Sequence, residues 1–280
     1  MAETVYGLVR QVTNRHEKGS NMTASGTRAS IVDAHMHVGD FPLFNVRMGR
    51  RELTQAMEEH GVAAGMVFHP DNQYVREIVE SVDNVYGLVW ANPRTPGFLE
   101  EAIELLDHPK FLGVKMHPLL DAYHPNDPAV HPLMEELIKR DMPALIHCGH
   151  PIFTLPWSIE ELAVEFPEAK IILGHMGHGN IIYIDGSISV AKRNPNVYLE
   201  TSGMMMYSKI VEAMETVGHD RVLFGSDAPF CEMGSEIRKV VACGLEPDLV
   251  ARVLEKNSRK LFFGDENAEG PAGAHHFTAS

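Results

Sequence analysis

The most regular feature of the chain is an alternation of two hydrophobic patterns that begins near residue 31. Short apolar runs rich in Val, Ile and Leu alternate with amphipathic segments of roughly 10 to 14 residues, which are typical of strands and helices respectively. The apolar runs predict eight strands, at residues 31–37, 63–68, 85–90, 111–117, 143–147, 170–175, 196–201 and 221–227. Eight alternating units of similar length favour a parallel, closed (β/α)8 TIM barrel over an open doubly wound sheet. We therefore predict an α/β fold with one barrel domain.

The two ends of the chain lack this alternation. Residues 1–29 carry many Ser, Thr, Gly and Asn residues, and we interpret them as an N-terminal extension and linker, in which Met22 offers an alternative start. Residues 265–280 are rich in Ala, Gly and His and are predicted to form a short disordered tail. The catalytic barrel is then expected over residues 30–264.

Composition narrows the classes of partner. The 24 Lys and Arg residues against 38 Asp and Glu residues give a formal net charge of −14, which argues against nucleic acid or an anionic membrane as the main partner. No window approaches the roughly 20 apolar residues of a membrane-spanning helix. Cys148, Cys231 and Cys243 are widely spaced and predict no disulfide framework. We therefore expect a cytoplasmic protein that acts on a small molecule.

Metal-binding residue types gather at the ends of the predicted strands. The first strand ends with His35 and His37, and side chains two apart on a strand point to the same face. Further side chains of this kind end other strands: Lys115 and His117, His147, His175, and Asp227. The carboxyl ends of the strands form the active site of a TIM barrel, so these side chains are expected to converge there. Imidazoles with one carboxylate suit Zn²⁺, our first expectation, and also Mn²⁺ or Fe²⁺.

The segments around these residues resemble the signature of a known family. They are residues 33–37 (DAHMH), 113–118 (GVKMHP), 146–149 (IHCG), 174–177 (GHMG), 224–229 (FGSDAP) and 255–262 (EKNSRKLF). Together they are similar to the amidohydrolase superfamily, and most of all to its amidohydrolase-related branch. The resemblance implies a metal-dependent barrel that hydrolyses amides, esters or lactones. Several members of this branch are instead lyases, which decarboxylate aromatic acids or hydrate and cleave ring-opened ones.

The family pattern implies a role for each residue at the strand ends. His35, His37 and His147 would be ligands of the metal ion. Asp227 would be a further ligand that also takes a proton from the metal-bound water. His175 would act as an acid or base that polarises the substrate carbonyl, or it would bind a second metal ion.

Lys115 leaves the number of metal ions open. In two-metal members a carboxylated lysine on the fourth strand bridges the ions, and His147 and His175 bind the second one. The sequence around Lys115 is typical of the branch in which one metal is usual, so we favour one Zn²⁺ per chain. An uncarboxylated Lys115 would then act in catalysis as a cation for a substrate carboxylate.

Other residues near the strand ends are weaker candidates. Five side chains are predicted to contact substrate, although each also has an ordinary structural explanation: His117, His150, His178, Arg94 and Trp157. Phe41, Phe44 and Phe230 fall in loops after strands, where they could line an apolar pocket. We place a metal-dependent hydrolase of a small carbonyl compound first, a decarboxylase or hydratase on the same ligands second, and a non-catalytic binding barrel third. A homodimer is expected only by analogy with the family.

Overall fold

The protein forms a nearly closed barrel in a computed structural model that describes residues 30–271. The predicted extension over residues 1–29 and residues 272–280 of the predicted tail lie outside this part. In chain order the strands are β1 (Ile31–His37), β2 (Gly39–Phe41), β3 (Val46–Met48), β4 (Val62–Phe68), β5 (Val85–Trp90), β6 (Phe111–Met116), β7 (Pro143–His147), β8 (Lys170–Gly174), β9 (Val197–Glu200) and β10 (Val222–Leu223). β2 and β3 form a separate antiparallel hairpin, and the other eight strands form one parallel sheet in chain order. The predicted TIM barrel is confirmed.

Helices connect the strands on the outside of the barrel. The α-helices are Arg50–His60, Asn72–Ser81, Phe98–Leu106, Pro118–Asp121, His131–Arg140, Pro156–Glu165, Ile181–Arg193, Ser208–Val217, Met233–Val241, Pro247–Ala251 and Asn257–Phe263. A π-helical turn, Arg252–Lys256, joins the last two, so that one helical stretch ends the barrel. Asp71 caps the helix Asn72–Ser81, because its side chain accepts hydrogen bonds from the backbone N–H groups of Gln73 and Tyr74. Within residues 30–271, no helix has the length and apolar character needed to cross a membrane.

Both faces of the barrel sheet are buried, which explains the continuous apolar runs of its strands. In β5, Leu88 and Trp90 belong to the cluster that fills the barrel, whereas Val89 packs between the sheet and the helices. Phe68, at the end of β4, lies with its ring centroid 6.3 Å from that of Trp90. These two aromatic side chains form the top of the apolar interior, and the polar side chains of the barrel mouth lie on them.

The barrel closes between β10 and β1 through irregular hydrogen bonds. Three backbone bonds join the two segments: from Ala34 N to Phe224 O (3.0 Å), from Asp227 N to His35 O (2.8 Å), and from His37 N to Ala228 O (2.7 Å). The sequence predicts a strand over residues 221–227, but its regular part ends at Leu223. Because the chain after Leu223 continues along β1, Asp227 lies beside the histidines of the first strand.

The first residues of the predicted tail contact the barrel. Arg259 donates hydrogen bonds to the carbonyl of Ala268 and to Ser30 Oγ, the latter over 3.1 Å. These bonds join the last helix to Ser30, which directly precedes β1, and to the chain after the helix. The domain boundary at residue 264 stays a prediction.

Candidate active site

A bulge in β1 turns both first-strand histidines into the barrel. Ala34 belongs to the cluster that fills the barrel, whereas Met36 packs outside it. The register between β1 and β4 shifts between Asp33 and Met36, and a bulge of this kind re-aims the side chains that follow it. His35 and His37 are both buried and face the centre of the barrel mouth as a result.

Asp227 joins these histidines in a compact cluster. Its Oδ1 atom lies 3.0 Å from His37 Nε2 and 3.4 Å from His35 Nε2. One potential ligand atom from each of His35, His175 and Asp227 lies within 4.8 Å of the others. Asp227 has a φ of 56°, in the left-handed region that Asp occupies more readily than most residues. The turn after β10 therefore aims this carboxylate at the centre of the mouth.

His147 reaches the cluster through His175. His175 Nε2 lies 3.1 Å from His147 Nδ1, and His147 Nε2 lies 2.9 Å from His150 Nδ1. The structure thus brings all of the predicted ligands into one network, with His175 between His147 and Asp227. Which of them bind a metal ion stays a prediction.

The side chain of Lys115 is fully buried beneath this network. Its Nζ lies 3.1 Å from His35 Nε2 and 4.6 Å above the ring of Phe68, a cation–π contact. Burial lowers the pKa of Lys115 to about 8, so the ammonium form still predominates at pH 7. The site therefore contains a buried cation next to a candidate ligand nitrogen.

Burial also sets the protonation of the candidate ligands. It lowers the pKa of His35, His37 and His147, and it lowers the pKa of His175 to about 3. Neutral imidazole is the form that binds metal ions. Burial alone would raise the pKa of Asp227, but the surrounding imidazoles, with a hydrogen bond from His37, hold it well below its usual range. At pH 7 the cluster presents neutral imidazoles and one carboxylate.

This donor set fits a divalent metal ion. Two ligands of a tetrahedral zinc ion, each about 2.1 Å from it, stand about 3.4 Å apart. The separations of His35 Nε2 and His37 Nε2 from Asp227 Oδ1, 3.4 and 3.0 Å, are of this size. The carboxylate and the imidazoles also match the ligand types that Zn²⁺ and Mn²⁺ accept.

The weaker histidine candidates lie against the cluster. The rings of His117 and His147 stack with centroids 4.1 Å apart, and those of His147 and His150 stack at 5.1 Å. The His178 ring lies 4.6 Å from that of His150 and 5.5 Å from that of His175. These three candidates are thus positioned beside the mouth, and their contacts with substrate stay predictions.

The other two weak candidates have contacts of their own. Arg94 is exposed and donates a hydrogen bond to the carbonyl of Ala122 over 3.0 Å. The ring of Trp157 lies 6.3 Å from that of Tyr183, on the helix Ile181–Arg193. Their roles in substrate binding also stay predictions.

Three phenylalanines form an aromatic wall beside the cluster: Phe41, Phe44 and Phe230. The Phe230 ring lies 4.7 Å from that of His37, and the Phe41 ring lies 5.4 Å from it, both edge-on. Phe44 contacts Phe230 at 5.3 Å. The wall gives one side of the mouth an apolar, aromatic surface.

Two buried residues near the end of β9 are absent from the predicted site. Glu200 Oε2 accepts a hydrogen bond from His35 Nδ1 over 2.7 Å, and Ser202 Oγ lies 2.9 Å from His175 Nδ1. Glu200 lies inside a predicted strand, where the sequence pattern gives no reason to assign it a role in the site. A single acidic residue at the end of a run buried on both faces is the signal that could have found it.

The family model described as Amidohydrolase matches residues 23–264, which include the whole barrel and every candidate ligand. The chain belongs to the amidohydrolase family. The resemblance found in the sequence motifs is thereby confirmed, and with it the enzyme family.

A curated relative of this amidohydrolase is the gamma-resorcylate decarboxylase of Polaromonas sp. (strain JS666 / ATCC BAA-500). The two are 28% identical over 222 residues, which cover 68% of this chain and 58% of the relative. The chain thus spans little more than half the length of the curated relatives that it matches.

Two solved structures share the barrel fold of the amidohydrolase. One is a dihydroxybenzoic acid decarboxylase from Polaromonas sp. JS666 with bound manganese and the inhibitor 2-nitroresorcinol. It is 16% identical to this chain, with a TM-score of 0.65, and the match covers 83% of this chain and 96% of that chain. The other is a putative 2-pyrone-4,6-dicarboxylic acid hydrolase from Pseudomonas putida, 17% identical, with a TM-score of 0.66, over 84% and 98%. At these identities the likeness shows the fold alone.

The relatives change the order of our functional hypotheses. The sequence analysis places a hydrolase first, whereas the curated relative is a decarboxylase. The decarboxylase hypothesis is therefore the better supported of the two, although one structural neighbour carries the name of a hydrolase. Zinc stays a prediction, since the metal in the neighbouring decarboxylase structure is manganese.

Asp33 holds the barrel closed beneath the site. Its Oδ1 atom accepts hydrogen bonds from the backbone N–H groups of His35 and Ser226, both over 3.0 Å. Within residues 30–271 its Oδ2 atom is buried with no hydrogen-bond partner. Burial raises the pKa of Asp33 from 3.8 to about 7, because the hydrogen bonds from Ser226 and His35 offset only part of the loss of solvent.

The raised pKa of Asp33 predicts a pH-dependent stability. The folded protein holds this proton more tightly than the unfolded chain, so the stabilisation is complete below pH 3.8 and is lost as pH rises to about 7. Relative to Asp33→Asn, the wild type should lose roughly 1.4 kcal/mol of unfolding free energy per pH unit within this window. Urea unfolding at a series of pH values measures the difference. A constant difference between pH 4 and pH 7 would contradict the assignment.

Proposed function

We propose that this amidohydrolase is a metal-dependent decarboxylase of a hydroxylated aromatic carboxylic acid. The observation that carries the proposal is the buried ammonium of Lys115, 3.1 Å from His35 Nε2. A cation at this place would hold the carboxylate that leaves as CO₂, and charge-assisted hydrogen bonds are among the strongest that a protein offers. The aromatic wall supports a planar substrate, and the curated decarboxylase relative supports the reaction class.

His35, His37, His147 and Asp227 would hold one metal ion, with His175 beside it. When bound, the ion would supply a Lewis acid that polarises and orients a substrate oxygen. Both Zn²⁺ and Mn²⁺ suit these ligands, and the manganese of the neighbouring decarboxylase structure supports Mn²⁺.

The reaction needs one proton at the ring carbon that carries the carboxylate. Once the proton has added, the C–C bond breaks, its electron pair returns to the ring, and CO₂ leaves. We assign the proton transfer to the carboxylate of Asp227. Asp227 lies at the centre of the mouth, 3.0 Å from His37 Nε2 and 3.4 Å from His35 Nε2. Its carboxylate would take up a proton from solvent when substrate binds, deliver it to the ring carbon and return to the carboxylate form.

His175 would hold a hydroxyl group of the substrate. Its Nδ1 faces the carbonyl of Ser202 over 3.1 Å and therefore carries the ring proton. This leaves Nε2 as an acceptor on the side of the cluster. Nε2 lies 3.1 Å from His147 Nδ1. Once His147 binds the metal ion, a substrate hydroxyl next to the carboxylate would replace His147 as the donor to Nε2, while Lys115 binds the carboxylate.

A panel of substrates tests the proposal. Protein loaded with Mn²⁺ or Zn²⁺ should release CO₂ from 2,6-dihydroxybenzoate or a related hydroxybenzoate, and a chelator should lower the rate at least about a hundredfold. Unsubstituted benzoate is the matched control, because it offers no hydroxyl to His175. Absence of CO₂ release from every hydroxybenzoate, combined with hydrolysis of a lactone, ester or amide, would contradict the decarboxylase.

A hydrolase of a carboxylated lactone is the second candidate. The structural neighbour described as a putative 2-pyrone-4,6-dicarboxylic acid hydrolase supports it. In that reaction Asp227 would take a proton from the attacking water, and Lys115 would bind the substrate carboxylate without its loss. Ring opening with no release of CO₂ distinguishes this candidate from the first.

A further inference from the structure

Glu200 is the centre of a fully buried hydrogen-bond network behind the candidate metal ligands. It accepts four hydrogen bonds: on Oε2 from His35 Nδ1 (2.7 Å), His175 N (3.1 Å) and Ser202 Oγ (2.9 Å), and on Oε1 from Ser202 N. Because every partner donates, both carboxyl oxygens act only as acceptors. The side chain thereby joins β1, β8 and β9 at the level of the site.

The contact with Glu200 fixes the proton on the ring of His35. A hydrogen bond from Nδ1 to a carboxylate oxygen requires the proton to sit on Nδ1. The Nε2 atom is then unprotonated, and its lone pair faces the cluster, 3.1 Å from Lys115 Nζ and 3.4 Å from Asp227 Oδ1. The opposite tautomer would place a proton where a metal ion must bind.

Ser202 links Glu200 to His175 and fixes the proton on the His175 ring in the same way. Its hydroxyl donates to Glu200, so the hydroxyl oxygen is left to accept from His175 Nδ1 over 2.9 Å. The backbone carbonyl of Ser202 accepts from the same nitrogen over 3.1 Å. His175 therefore also carries its proton on Nδ1 and presents Nε2 to the cluster.

Gly225 leaves the space that Glu200 occupies. A Cβ atom built on Gly225 would lie 2.3 Å from Glu200 Oε1 and 2.6 Å from His35 Cβ, distances that no real structure tolerates. A side chain at this position after β10 would displace either Glu200 or His35. The glycine at position 225 therefore allows Glu200 and His35 to lie close together.

We propose that Glu200 is a positioning residue, which fixes the tautomer and ring orientation of His35 directly and those of His175 through Ser202. His35 then presents Nε2 to the metal ion, and His175 presents its Nε2 beside that ion. The inference rests on the metal centre of the proposed function, and it holds for the decarboxylase and the hydrolase alike. Partners of this kind, on the far nitrogen of a ligating histidine, typically contribute 10- to 100-fold in metal affinity.

Substitution of Glu200 tests the inference through metal affinity. In Glu200→Gln one oxygen becomes an NH₂ group, which cannot accept from the donors that face it. The dissociation constants for Mn²⁺ and Zn²⁺, measured by calorimetry on the metal-free full chain, should rise about 10- to 100-fold. Glu200→Asp keeps the charge, but its shorter side chain places the carboxylate farther from His35 Nδ1. The dissociation constants of this variant for Mn²⁺ and Zn²⁺ should therefore also rise.

Glu236→Gln is the matched control. Glu236 accepts a hydrogen bond from the backbone N–H of Gly203 over 3.1 Å and pairs with Lys239, so it supports the same loop after β9. Its partners in the described part of the chain are not ligand candidates. The metal affinity of Glu236→Gln should therefore equal that of the wild type.

Nitrogen NMR of ¹⁵N-histidine-labelled, metal-free protein adds a second readout. The wild type should show an Nδ1-protonated ring that is assigned to His35 by its loss in His35→Gln. In Glu200→Gln this signal should shift toward the Nε2-protonated pattern, which a general loss of packing would not produce selectively.

Three outcomes separate this inference from the proposed function. If the wild type binds neither Mn²⁺ nor Zn²⁺, the metal centre itself is wrong and the inference falls with it. If the wild type binds and both Glu200 variants bind equally well, only the inference is overturned. An equal loss in Glu236→Gln would also overturn it, since the effect would then belong to the loop and not to ligand positioning.

Discussion

Replacing Asp227 with asparagine is expected to lower kcat about a thousandfold or more and to remove most of the bound metal. The reason is that one oxygen of Asp227 faces both His35 Nε2 and His37 Nε2, at 3.4 and 3.0 Å. Asparagine keeps the size of the side chain but loses the charge that attracts the ion and the group that carries the proton. Metal content per chain and the rate of CO₂ release measure the two effects separately.

Asp121→Asn is the control for this variant. Asp121 is also a partly buried carboxyl at the mouth, whose pKa burial raises to about 6, but its partner is Trp90 Nε1 at 3.0 Å. Its substitution should leave metal content and kcat close to the wild type. Should Asp227→Asn keep its metal and a tenth of its activity, the proton transfer would have to be assigned to another residue.

The barrel could be predicted because both faces of its sheet are buried. Each strand is therefore a continuous run of apolar residues in the sequence. Seven of the eight predicted strands agree with the structure to within about two residues at either end, within the usual uncertainty of element boundaries. The exception is β10, which the apolar run extends to residue 227. There the backbone bonds to β1 irregularly and Asp33 accepts the N–H of Ser226, an arrangement that no local pattern encodes.

The convergence of the candidate ligands could be predicted because parallel strands end at one rim. The order of contacts within the cluster could not, since it depends on the bulge in β1 and on the turn that gives Asp227 its positive φ. The sequence analysis places His35 and His37 on one face of a strand, but only the register shift shows that this face is the interior. His175 likewise lies between His147 and Asp227, although it stands outside the one-metal ligand set.

Glu200 shows why the residues that support a site are harder to find than its ligands. A histidine at the carboxyl end of a barrel strand is conspicuous in the sequence, because these ends form the active site of a TIM barrel. A glutamate in a strand, by contrast, is normally a solvated residue on an exposed face. Its burial and its bond to His35 follow from the packing of three strands, which becomes visible only in three dimensions.

Lys115→Met is expected to lower kcat/KM for a carboxylated substrate about 10- to 100-fold, because it removes the buried cation and keeps an unbranched side chain of similar shape. The same variant also tests the number of metal ions. A free ammonium 3.1 Å from His35 Nε2 is not a metal ligand, so one ion per chain should remain bound. A carboxylated lysine that bridges two ions would predict loss of one of them.

The pH profile identifies the charge as the cause. Since burial lowers the pKa of Lys115 to about 8, its ammonium form is present below that value and is lost as pH rises through it. The kcat/KM of the wild type should therefore fall above pH 8, whereas the lower kcat/KM of Lys115→Met should stay level there. Lys239→Met is the control, because Lys239 Nζ donates to the carbonyl of Thr201 and pairs with Glu236. A wild-type profile that stays level above pH 8 would contradict this prediction, because substrate binding would then depend on a group other than Lys115. The buried ammonium of Lys115 would then no longer support a carboxylated substrate.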